Sequence, residues 1–205
     1  MKRLFFLLLF LLLLGCPLWL SAQVVNFGKT LPERSFSLGV APSWYFNNSN
    51  VGLRSIGVEE DQAGALAIGV SGGYGINYSL DMNAKIIYVA GGKPFIGADI
   101  QYLVHEARNS YFSVLGGLHY WDNFGVDITG LFTYMLNYDI SLSGGLDFDI
   151  NYDPDMDGNV RFRAWLPVNI GFTINRNTFL YAEYDLPISQ WSWGIAAIGV
   201  NFIIR

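Results

Sequence analysis

Between Val160 and Asn175 the chain alternates between two chemistries. Val160, Phe162, Ala164, Leu166, Val168, Ile170, Phe172 and Ile174 fall on one face; Arg161, Arg163, Trp165, Pro167, Asn169, Gly171, Thr173 and Asn175 fall on the other. A period of two over this length predicts a β-strand of roughly 50 Å, longer than an ordinary globular strand and enough to cross a bilayer at a tilt. Two guanidinium groups, an amide and a threonine could not be buried unpaired in a soluble sandwich. A barrel lumen can hydrate or pair them. The pattern therefore predicts an all-β fold, a transmembrane antiparallel up-and-down β-barrel.

Shorter alternating segments give the other strands, at Ser35–Phe46, Gly64–Ser79, Asn83–Ala90, Phe95–Glu106, Tyr111–Trp121, Val126–Asn137, Ile140–Ile150, Phe179–Leu186 and Trp193–Ile204. That makes ten, an even number that leaves both ends of the barrel chain on the periplasmic side. Asn83–Ala90 alternates poorly, and without it as a separate strand the count drops to eight. Asp99, Gln101, His105, Ser113 and His119 are expected inside. The Trp44-Tyr45-Phe46 cluster, Trp165, Trp191 and Trp193 are expected in aromatic girdles at the membrane interfaces. Pro167, which cannot donate to a ladder, predicts a bulge or a missing bond. The stretch 47–63, with Glu59-Glu60-Asp61, reads as an outer loop, and Asp122-Asn123-Phe124-Gly125 as a hairpin turn.

Ahead of the strands, Lys2 and Arg3 precede an apolar run from Leu4 to Leu14, the pattern of a targeting segment. Processing is expected after Ala22, with lipidation at Cys16 in Leu13-Leu14-Gly15-Cys16 as the competing site. The resulting organisation is a signal peptide over 1–22, a periplasmic lead-in over 23–34 and a barrel over 35–205. Beyond Cys16 there is no cysteine, so disulfides and thiolate metal sites are excluded from that region. Without Lys2 and Arg3 the basic residues fall from 12 to 10 against 17 acids, a net charge near −7 that argues against a nucleic-acid partner.

The leader ending Ser21-Ala22-Gln23, the repeated ten-residue alternation and the closing Val200-Asn201-Phe202-Ile203-Ile204-Arg205 resemble small bacterial outer-membrane β-barrel proteins, especially those of Bacteroidota. The resemblance covers nearly all of the mature chain. It implies an outer-membrane location and lipid as the surrounding medium, and it identifies no particular activity.

Chemistry-bearing residues are few. His119 is expected near Asp127 across a hairpin, but Ser113 lies six residues from His119, about 20 Å along a strand and out of hydrogen-bond reach. A lumenal His–Asp pair is therefore expected rather than a hydrolase triad. Arg161 and Arg163 open one strand while Asp147 and Asp149 close its neighbour, so the two pairs should meet inside the outer mouth. Glu183 and Asp185 add acid from the next strand. Such a network fills and rigidifies a narrow lumen, or confers selectivity or ligand binding on it. In Asp153-Pro154-Asp155-Met156-Asp157-Gly158-Asn159, alternate aspartates followed by glycine resemble the start of an EF-hand loop, with Asp153, Asp155, Asp157 and Asn159 as candidate calcium ligands on an outer loop. The twelfth position is Ala164, which supplies no closing glutamate.

These residues predict a non-enzymatic outer-membrane barrel with no resident cofactor beyond that calcium. Its polar lumen is largely filled, and its role is structural, narrow transport, or docking of a surface or envelope protein. The alternatives are an outer-membrane enzyme acting on lipid, and a soluble lipocalin-like binding barrel whose apolar faces point inward.

Overall fold

The structure, a computed structural model, describes residues 28–46, 53–58, 63–121, 123–153 and 160–205. Among them ten antiparallel strands close into one up-and-down barrel: β1 (Phe36–Phe46), β2 (Gly64–Asn77), β3 (Leu80–Val89), β4 (Phe95–Glu106), β5 (Ser110–Trp121), β6 (Asn123–Met135), β7 (Ile140–Tyr152), β8 (Val160–Asn175), β9 (Thr178–Pro187) and β10 (Gly194–Ile204), with β1 bonded to both β2 and β10. Four connections of two to four residues lie at one end, the turn end. The remaining five, most of them longer, lie at the loop end.

The outside is apolar. Ile86, Ile96, Ile100, Leu118, Ile128 and Ile198 are each more than half exposed, while the residues between them point into the barrel. This inverts the soluble lipocalin-like alternative, since a hydrocarbon solvent is what such a surface needs. The ten-strand count holds because β3 does alternate, with Asp81, Lys85, Ile87 and Val89 buried and Met82, Ile86 and Tyr88 exposed. It alternates poorly in hydropathy because Ile87 and Val89 face an interior that is itself apolar at the loop end.

Two prolines mark lapses in the ladder without a change of register. The β7–β8 pairing runs through Gly144↔Val168, skips two positions and resumes at Asp147↔Trp165; Pro167 sits in the gap. The β1–β10 pairing likewise passes from Val40↔Val200 to Ser43↔Ala197 across Pro42. Each proline is still paired on its other side, with Asp185 and Ile68 respectively. A missing N–H thus interrupts one ladder locally and produces no bulge.

Several side chains lie where the sequence pattern does not place them. Tyr45, Trp165 and Trp193 are buried in the lumen rather than in an interfacial girdle, Trp165 on the inward face that the alternation of β8 assigns it, while Trp44 is exposed outside as expected. Aromatic identity alone does not distinguish the two sides of a barrel wall. Ala164, expected toward lipid, is covered by the β9–β10 connection, where the Ser192 hydroxyl accepts from its amide (2.9 Å) and Ile188 N–H donates to its carbonyl (3.0 Å). His105 is exposed because the β4–β5 register shifts between Leu103 and His105, which turns it out of the lumen. The β6 strand already begins at Asn123, so Asn123, Phe124 and Gly125 are strand rather than turn, and Asp122 lies outside the described residues.

Candidate functional site

The lumen is stratified. At the loop end Tyr45, Phe95, Trp121, Trp165 and Trp193 form a buried cluster with Ile87, Val89 and Ile195, and the 3-10 turn Leu53–Ile56 caps it with Leu53, Ile56 and the following Val58. Trp193, completely buried, meets Trp121 at 5.0 Å and 86° and Trp165 at 5.4 Å and 77°, both edge-to-face. Pairs of that geometry contribute about 0.5–1.5 kcal/mol each beyond the burial of their area. Trp165 Nε1–H donates to Trp193 O (2.7 Å) and Trp121 Nε1–H to Lys93 O (2.8 Å), so two indoles are also pinned through their polar edges. The capping turn is held by Lys93 N–H donating to Ile56 O (2.8 Å), beside Gly91, whose φ of +74° makes the β3–β4 reversal.

Beneath the aromatic layer the register creates a row of directly opposed inward residues: Asn83, Asp99, Gly117, Asp127, Asp149 and Arg163, across β3 to β8. Asp127 and Asp149 face each other, an arrangement that repels unless something intervenes. His119 intervenes. Its Nδ1 lies 3.2 Å from Asp127 Oδ2 and its Nε2 3.1 Å from Asp149 Oδ1, with Asn151 Oδ1 also at 3.1 Å from Nε2. Acceptors at both ring nitrogens suit the imidazolium, which donates from both. The ring has room because Gly125 stands opposite it; a methyl group there would run into Nε2.

Arg163 completes the group. Its guanidinium reaches Asp149 Oδ2 (3.4 Å) and lies 5.1 Å from the centre of the Trp193 ring, so it joins the charged layer to the aromatic one. Arg161 does not join Asp147 or Asp149. It stands opposite Asn151, pairs with Asp153 and stacks on Trp191 at 5.0 Å. Asp147 stands opposite Trp165 and accepts from the Thr129 hydroxyl (2.6 Å). Glu183 and Asp185 face inward from β9 and are buried. Lys85, which the alternation of β3 obscured, bonds Asp99 Oδ2 (3.4 Å) and lines the same central cavity of about 70 Å³ as His119, Asp147 and Glu183.

At the turn end the closure is different. Residues 28–34, the described part of the expected periplasmic lead-in over 23–34, lie with Ser35 within the barrel's mouth. Gly28 N–H donates to Thr133 Oγ1 (2.8 Å) and the Ser113 hydroxyl donates to Gly28 O (2.7 Å). Leu31 N–H donates to Asp81 Oδ2 (2.7 Å), and the Thr30 hydroxyl to Tyr78 O (2.7 Å). Ser113, the serine of His119's own strand, is thus engaged at the far end of the lumen. Beside this segment is a more open cavity of about 290 Å³, bordered by Leu31, Thr133, Ser141 and Phe179. Of the candidate calcium ligands Asp153 is described and pairs with Arg161, whereas Asp155, Asp157 and Asn159 lie outside the described residues.

No protein-family model matches the sequence, and no curated protein matches it at a significant level. Solved structures do match in fold. An outer-membrane channel from Pseudomonas putida F1 superposes with a TM-score of 0.57 at 8% identity, covering 89% of this chain and 100% of that one. The NanC porin superposes with a TM-score of 0.52 at 12% identity, covering 80% of this chain and 98% of that one. At such identities the shared property is the barrel itself, and the chain has the fold of bacterial outer-membrane β-barrels.

Proposed function

We propose that the chain is a non-enzymatic barrel of the bacterial outer membrane whose lumen does not conduct in this conformation. In this reading it serves a structural or partner-docking role. Its apolar belt lies in outer-membrane lipid, its turn end faces the periplasm, and its loop end offers a surface to an envelope or surface protein. The observation that carries the reading is closure at two levels: an aromatic layer under the Leu53–Ile56 turn at one end, and residues 28–35 bonded across the mouth at the other. Ten strands lie close to the size at which side chains alone fill a barrel, and well below the sixteen that leave an aqueous channel.

Narrow transport is the second reading. It draws on the channel and the porin with which the fold is shared, and it requires the aromatic layer to move aside. Planar-bilayer recording separates the two. The purified wild-type protein should show no stable channel, and Arg163→Ala, which loosens the joint between charged and aromatic layers, should open a small one at most. A large, stable wild-type conductance would overturn the closed-lumen reading.

A further inference from the structure

The carboxylates inside the barrel outnumber the cations facing them. Among the described residues the central lumen holds Asp99, Asp127, Asp147, Asp149, Glu183 and Asp185 against Lys85, Arg163 and His119. On the β4–β8 side the acids are engaged by Lys85, His119, Arg163 or Thr129. The β9 side is different. Asp185 is fully buried, and neither of its carboxylate oxygens has a hydrogen-bond partner. Opposite it on β8 stands Pro167, which has no N–H to offer. Asn169, directly opposite Glu183, is 3% exposed; its amide nitrogen is directed at the Glu183 carboxylate, and its amide oxygen has no hydrogen-bond partner. Buried polar atoms left bare in this way cost free energy, and here three oxygens lie on two neighbouring strands.

The oxygens at this corner form a coherent donor set. Glu183 and Asp185 are two residues apart on one strand face, so both carboxylates project to the same side, and the Asn169 amide stands across the ladder from Glu183. Glu183 lines the central cavity, as do Pro167 and Ile195, the residues that flank Asp185 in the sheet. At about 70 Å³ that cavity has room for a small ion with a water or two.

We propose that Glu183 and Asp185, with the amide oxygen of Asn169, bind a hard divalent cation inside the barrel. Two carboxylates are neutralised by one divalent ion, and carboxylate, amide carbonyl and water are the ligands that calcium and magnesium take. Calcium suits the corner better, because it accepts irregular coordination by six to eight oxygens where magnesium demands a regular octahedron. Among the described residues no three His, Cys, Asp or Glu side chains are arranged to hold one metal ion, so the site is two carboxylates completed by amide and water, and its affinity is correspondingly modest. The proposal is independent of whether the barrel conducts.

Terbium, a calcium mimic whose emission is excited through nearby tryptophan, is the probe, because Trp165 and Trp193 line the same cavity. The full chain is refolded into detergent micelles with terbium, then refolded with increasing calcium in competition. Wild type should give tryptophan-sensitised emission that calcium suppresses. Asp185→Asn and Glu183→Gln should each weaken terbium binding at least tenfold, with heat-modifiable gel migration confirming that both variants are folded. Asp155→Asn, in the acidic loop, should leave the emission unchanged. Absence of sensitised emission from folded wild type, emission that calcium does not suppress, or emission indifferent to both lumenal substitutions would each overturn the proposal. So would loss of emission in Asp155→Asn, which would place the ion on the loop.

Discussion

The two ends of the lumen solve one problem with different chemistry. At the loop end, closure comes from side chains: five aromatic rings and three aliphatic residues of the Leu53–Val58 segment exclude water by packing. At the turn end it comes from backbone. Gly28 is held by Thr133 and Ser113, Leu31 by Asp81, and Gly75 exchanges main-chain bonds with Arg34 (2.7 Å) and Ser35 (2.9 Å). The aromatic end gains from burial, and loses heavily if one ring is removed from a close-packed group. The hydrogen-bonded end makes many separate contacts, each modest in net worth because water can replace it. The loop end should therefore behave as a single cooperative seal and the turn end as a peelable one.

The largest test of that contrast is Trp193→Ala. The ring contacts Trp121 and Trp165 edge-on, Tyr45 at 6.1 Å and the Arg163 guanidinium, so its loss leaves a cavity bordered by a charge. A cost of about 3–5 kcal/mol in urea unfolding from lipid vesicles is expected, together with a conductance that the closed-lumen proposal denies to wild type. A cost below about 1 kcal/mol would mean that the aromatic layer is filler rather than a seal.

How far this division was legible in the sequence depends on which side of the wall a residue lies. Lipid-facing positions declare themselves, since Ile96, Ile100, Leu118 and Ile128 alternate with smaller or polar neighbours. The His119–Asp127 pair was legible because the short β5–β6 connection fixes the register. The aromatic seal was not. Trp165 and Trp193 carry the same composition signal as girdle residues, and an inward apolar layer erases the alternation that betrays orientation elsewhere, as Ile87 and Val89 do in β3. The turn-end closure was illegible for another reason. Residues 28–35 have no periodicity, and their bonds to Ser113, Thr133 and Asp81 span 50 to 105 positions of sequence. Arg161 missed its expected acids because β7 extends to Tyr152, which brings Asn151 opposite it and Asp153 within reach.

A second, smaller test acts on the turn end. Gly75 lies so close to the 28–35 segment that an added Cβ would collide with the carbonyl of Pro32 and approach Leu31 O at 3.0 Å. Gly75→Val should displace the segment at a cost of about 1–3 kcal/mol. Limited proteolysis should then cut within 28–35 while the strands stay resistant. If no new cleavage appears, the segment is held by more than its fit against this wall.

The smallest effect should come from Thr133→Val, which keeps the shape of the side chain and removes one oxygen. That oxygen accepts from Gly28 N–H and shares a 2.6 Å bond with Ser143, so the change strands one amide and one hydroxyl near a mouth that water can reach. Solvent can satisfy both once the segment shifts slightly, which keeps the expected cost near 1 kcal/mol. The amide of Gly28 should exchange its hydrogen faster while the amides of the paired strands keep their protection, because opening here is local. Conductance should remain absent, since Trp193 and its neighbours still close the other end. A channel opened by Thr133→Val would reverse the assignment, making the hydrogen-bonded segment the true seal and the aromatic layer a lining that ions already pass.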